Sequence, residues 1–170
     1  FSHLILLAAV AAARNLAAAA SSPDPVEILV EVPIDRYAKV PANIRRVCKG
    51  FPRAISEAAI EESDRLVGVE TLGGGQVLDV AIVYVVGPGV MSDGVPVLPR
   101  VMVVGRLMDS GRLVGSFTSV RGIVSVGAVF GTALKNQCDR IDFMAGRVGA
   151  DIAEFLRAPT RNASFEDDEL

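Results

Sequence analysis

Histidine and tryptophan are nearly absent from this chain of 170 residues: there is one histidine, His3, and no tryptophan. His3 lies in a segment that reads as a removable leader. The remaining domain therefore offers no Ser-His or Cys-His catalytic pair and no histidine metal site. Cysteine is also scarce, with Cys48 and Cys138 alone and no CxxC spacing. That excludes a cysteine-rich zinc site and a vicinal redox pair. Lysine is rare beside arginine, 3 against 14, and net charge is −3. An acidic balance argues against nucleic acid as an electrostatic partner. Phosphate loops of the GxxxxGK[ST] and GxGxxG types are missing, as is any calcium loop. No cofactor and no metal is expected.

What is present begins with an apolar start. Sixteen of the first twenty residues are apolar, and Leu4–Ala13 is unbroken. Ten residues are too few to span a bilayer, which takes about 20. They suit the apolar region of a secretory signal peptide, with Ala18-Ala19-Ala20 as the cleavage site. The expected organisation is a truncated signal peptide over 1–20, one domain over 21–158, and a flexible acidic tail over 159–170. The alternative for the leader is an alanine-rich helix of the folded domain. No transmembrane anchor is expected in the mature chain. Periplasmic or secreted localisation follows. The closing Asp167-Asp168-Glu169-Leu170 and the sequon Asn162-Ala163-Ser164 keep a eukaryotic secretory pathway as the alternative.

An exported chain with two cysteines suggests a disulfide. Ile44, Val47 and Cys48 fall on one helical stripe. Cys138, Ile141, Ala145, Val148, Ile152 and Phe155 fall on another. Both thiols should face the interior, either as one bridge or as two buried free thiols.

Val26–Pro33 reads as a strand. A short helix follows Pro41 and is capped by Gly50, and a second runs from Pro52 to about Asp64. Arg45, Arg46 and Lys49 complement the first helix's dipole, with a phosphate-binding patch as the alternative. Gln76–Val86 is apolar on nearly every residue, as in a central strand covered on both faces. Asp79 interrupts it and is the carboxylate the pattern could bury. Arg100–Met108 and Arg112–Arg121 form a hairpin around Asp109-Ser110-Gly111. A three-residue loop pairs 108 with 112, which sets Gly105 opposite Gly115 on the core face. A long helix from about Thr132 to Ala158 stops before Pro159. Gly127–Gly131 reads as a connector that lets this helix dock closely.

The expected fold is α+β: two layers, a mostly antiparallel sheet, helices packed on one face, and a long C-terminal helix. The segment Val103–Thr118, with its strand, Asp-x-Gly, strand form, and the closing Gly149–Leu156 resemble an uncharacterised family of small bacterial envelope proteins, many of them lipoproteins. The resemblance implies an architecture similar to the amino-terminal domain of TolB and to curli-channel domains. It implies no catalytic residues. This chain lacks the lipidated cysteine of the lipoprotein members.

One layer of helices leaves the second sheet face open. Val77, Ala81, Val83, Met102 and Val104 are the expected interaction face, for an envelope protein partner or a second copy. The N-terminal strand, the 87–99 loop or an uncleaved leader could cover it instead. The expected function is a non-enzymatic exported domain that binds or assembles with another envelope component. The alternatives are a carboxylate enzyme centred on Asp79 and a secreted small-molecule carrier.

Overall fold

The computed structural model describes residues 24–87, 89–90, 96–123 and 136–167. The expected leader and the Gly127–Gly131 connector lie outside the described residues. The described elements run β1 Val26–Leu29, β2 Ile34–Lys39, α1 Ala42–Val47, α2 Phe51–Glu62, β3 Leu66–Val69, β4 Gln76–Val86, β5 Gly89–Val90, β6 Pro96–Val97, β7 Arg100–Asp109, β8 Arg112–Gly122, α3 Gln137–Arg157 and β9 Ala163–Glu166. The fold is α+β. Seven strands form one sheet in the order β3-β1-β4-β7-β8-β9, with β2 also on β4. The long β4–β7 and β7–β8 ladders are antiparallel, so most paired residues are antiparallel. The β1–β3, β1–β4, β2–β4 and β8–β9 pairings are short and parallel.

The expected first strand over 26–33 is shorter, and a second strand follows it. β1 lines the start of β4, and β2 lines its end along the same edge. Pro33 sits between them. A proline has no N–H for the ladder, but the Pro33 carbonyl still accepts from Ile82 N–H at 2.9 Å. Gly50 does not end α1 in a left-handed conformation. Its φ is −76°, and it serves as N-cap of α2, with Pro52 in that helix's first turn.

The core lies between the sheet and the helices. Val26, Ile28, Leu78, Val80, Ile82, Val101, Val103 and Leu107 face Ile55, Ile141, Met144, Val148, Ile152 and Phe155. α3 starts on Asn136, whose side-chain oxygen accepts from the Cys138 and Asp139 N–H groups, and Asp139 accepts from the Asn136 N–H in return. This reciprocal cap fixes where the helix begins, next to Cys138. Cys48 and Cys138 are bonded, with their Cα atoms 5.2 Å apart. The bridge ties the end of α1 to the start of α3.

Three details depart from the expected registers. The hairpin loop has two residues: Asp109 pairs with Arg112, and Ser110 and Gly111 take φ of 49° and 81°. Such a turn matches the strand twist and favours glycine at the second site. A bulge at Val114 then adds one residue to β8, so Gly105 lies opposite Phe117 and Leu107 opposite Gly115. The expected Gly105–Gly115 pairing is therefore wrong by two positions. Past the bulge the displacement is even, so Gly115 and Phe117 keep their face and both glycines are buried as expected. Leu113, expected on the core face, lies opposite Met108 on the other. Their notch is filled by rings rather than by a small residue of α3. A Cβ on Gly105 would lie 2.1 Å from Phe117 Cε1, and one on Gly115 would lie 3.0 Å from Phe155 Cζ. Gly149 makes its close approach to α2, at Ala58 and Ala59.

The second departure is in β4. A register shift between Ile82 and Tyr84 reverses the alternation, so Val85 joins the core face at 1% exposure and Tyr84 pairs with Met102. The third concerns the tail. Residues 163–166 are not free but form β9, parallel to β8. Asn162 turns the chain with φ 60°, and Phe165 lies edge-on to Phe117 at 6.4 Å.

Candidate functional site: the helix-free face of the sheet

Alternation along β4, β7 and β8 sends every second side chain away from the helices. Ladder register then groups these side chains into rows. Val77, Met108 and Leu113 form one row, Asp79, Arg106 and Ser116 the next, and Ala81, Val104 and Thr118 the third. Apolar rows thus flank a polar one. β2 borders this face on one side and the turn into β9 on the other. Between them lies an open groove of about 900 Å³.

The polar row centres on an ion pair. Arg106 Nη2 donates to Asp79 Oδ2 at 3.0 Å, with side-chain exposures of 66% and 42%. Asp79 is therefore not buried as the apolar pattern suggested. It lies on the helix-free face, and its partner is the residue directly across the ladder. At the rim, Ser116 Oγ accepts from Asn162 N–H at 2.9 Å and donates to Asn162 Oδ1 at 3.2 Å. Asp35, on the β2 side, accepts from the Tyr37 N–H at 2.7 Å. Both lining carboxylates are thus engaged. The surface offers donors, acceptors and half-buried methyl groups to something laid across it.

Of the expected interaction residues, Ala81 and Val104 line the groove. Val77 and Met102 lie in neighbouring rows of the same face, Val77 at 9% exposure and Met102 half-buried. Val83 sits at the register shift and is half-buried. Arg106, Ser116, Thr118 and Asn162 were missed as groove residues. Opposite charges at Asp79 and Arg106 were the available signal, but the pairing joins strands separated by a long connection.

No protein-family model, curated protein or solved structure matches this chain. The face is therefore read from its own chemistry. Among the described residues no cluster of His, Cys, Asp or Glu is placed to hold a metal ion, and no helix is long and apolar enough to cross a membrane.

Among the described residues the buried carboxylate is Asp151, on α3. Arg121 Nε and Nη2 donate to its two oxygens at 2.8 and 2.5 Å, and Ser119 Oγ donates at 2.6 Å. Arg121 Nη1 also reaches Asp167 at 3.0 Å, and Arg147 pairs with Asp167 as well. The Gly122 N–H donates to Asp167 at 2.6 Å. The Asp151 hydrogen bond leads the effects that raise the Arg121 pKa, against the burial that lowers it. Burial pushes the Asp167 carboxyl up, but the Gly122 N–H, the Arg121 guanidinium and the charge of Arg147 outweigh it and hold the group below its usual range. The cluster pins the end of β9 to β8 and α3, on the helix side of the sheet. It is structural, and it leaves the open face as the candidate site.

Proposed function

We propose that this chain is an exported, non-enzymatic domain of the cell envelope, periplasmic or secreted, whose helix-free sheet face binds or assembles with another envelope component. The observation that carries this reading is the groove of about 900 Å³ on a face that no described helix covers. Half-buried apolar rows around one ion pair suit a protein surface, where methyl groups give area and the charges give register. Export is supported by the Cys48–Cys138 bridge, because such bonds persist in oxidising compartments. Kinship with small bacterial envelope domains belongs to the same proposal and rests on the order of elements.

The enzyme reading has less support, since Asp79 is neutralised by Arg106 and Asp35 is held by a backbone N–H. The experiment is photo-crosslinking in exporting cells, with the reactive group at Val104 or Thr118 and, as the control, at Glu57 on α2. Adducts of discrete mass from the two sheet positions alone are expected, to a partner or to a second copy. Adducts absent from the sheet positions, or identical from Glu57, would overturn the reading.

A further inference from the structure

The open face is not the only polarised surface. Residues 36–53 contain six cations, Arg36, Lys39, Arg45, Arg46, Lys49 and Arg53, and no Asp or Glu. The whole chain holds 17 Lys and Arg against 20 Asp and Glu, so the rest has 11 against 20. A helix of six residues such as α1 does not require six cations to satisfy its carbonyl end. All six side chains are exposed. Among the described residues none of the six takes part in an ion pair.

The fold returns α1 to β2 and brings two of the six, Arg45 and Lys49, to one groove. Arg45 Nη2 donates to the Ala38 carbonyl at 3.2 Å, which folds α1 back onto β2. A groove of about 300 Å³ opens between them, lined by Arg45 and Lys49 with Val40 and Ile44, and Glu31 is the one carboxylate of its lining. Two large apolar side chains stand out among the cations, Tyr37 at 76% exposure and Val47 at 67%. The Arg36 guanidinium lies 4.6 Å from the centre of the Tyr37 ring. Cations interleaved with an exposed aromatic and an exposed aliphatic residue match the two demands of a bilayer surface: anionic headgroups outside and the acyl boundary just beneath.

We propose that the β2–α1 surface docks this protein peripherally on a membrane rich in anionic phospholipid. The six cations meet the headgroup phosphates, and Tyr37 and Val47 enter the interface. An oxidising compartment, to which the bridge points, leaves the lipid surface rather than nucleic acid as the anionic partner. Arg36 also lines the open-face groove, whereas Arg45 and Lys49 line the smaller one.

The test uses the bridged chain as recovered from exporting cells, sedimented with vesicles of phosphatidylcholine alone or mixed with phosphatidylglycerol. Binding to the anionic vesicles is expected, weakening as salt rises. Each cation near the surface contributes about fivefold, so Lys39→Gln with Arg46→Gln should lower the partition coefficient about 25-fold. Arg112→Gln with Arg161→Gln removes the same charge elsewhere and should have little effect. Tyr37→Ala should weaken binding without changing its salt slope. Retained circular dichroism and an intact bridge show that the variants are folded. Equal binding to both vesicle types overturns the proposal, as does an equal loss in the two double variants. Binding to a soluble polyanion with no vesicle binding overturns it too, in favour of an anionic macromolecule.

Discussion

Asp79 and Asp151 both interrupt apolar patterns, and their surroundings differ in what removal should cost. Asp79 is 42% exposed beside a more exposed arginine. Such pairs contribute about 0–1 kcal/mol, so Asp79→Asn should leave the urea midpoint nearly unchanged. Asp151 is 5% exposed and holds Arg121 at 14%. Asp151→Asn leaves a buried guanidinium with an incomplete partner, and a loss of about 3–5 kcal/mol is expected in the same titration. Asp167 adds a pH dependence of defined sign. Its folded pKa lies below its usual value, so its contribution is present above the ordinary carboxylate range. That contribution fades as pH falls through the lower folded value. Wild-type stability should therefore drop below about pH 4, and Asp167→Asn should be less stable at pH 7 and flatter through the acid range. The sequence could not rank these aspartates. Burial at position 151 depends on Ser119 and Arg121 of β8 and on Asp167 after β9, two other places in the chain.

At the scale of elements, α3 carries two glycines whose substitution should act in opposite directions. A Cβ on Gly149 would come within 2.5 Å of Ala58 Cβ and 2.7 Å of the Ala59 backbone nitrogen. Gly149→Ala must push α2 and α3 apart, for a loss of about 1–3 kcal/mol. A Cβ on Gly146 meets nothing within 4 Å. Gly146→Ala should raise stability by about 0.5–1 kcal/mol, because glycine is the costlier residue inside a helix. Thermal melts of the two variants against wild type check both signs. A single close approach along the helix separates them, and periodicity alone carries no sign of it. The hairpin shows a similar boundary. Alternation assigned the correct faces to Val103, Gly105, Leu107, Gly115 and Phe117, while the bulge at Val114 set which residues oppose one another.

Across the whole molecule, the Cys48–Cys138 bridge closes a span of 90 residues between α1 and α3. In the chain-entropy account such a crosslink stabilises by about 4–5 kcal/mol. Cys48→Ser with Cys138→Ser should lower the unfolding free energy by that order, and reductant should do the same to wild type alone. Mass spectrometry without reductant should find no free thiol. The bridge was legible because both cysteines lie on apolar helical stripes and the composition suggested export. The parallel pairings of β1, β2 and β9 were not, since short strands pair over long separations with no local signal.

Local pattern by itself determined the class of the fold, the long helix, the central strand, the hairpin's faces past the bulge and the inward cysteines. These follow from side-chain periodicity and from turn residues, which act over a few positions. Tertiary structure alone decided the strand order, the registers past each bulge, the docking of β9 and the burial of Asp151. It also returned α1 to β2, where Arg45 and Lys49 line a shared groove. Each of these depends on contacts between distant segments, where one inserted residue or one opposing ring outweighs local preference.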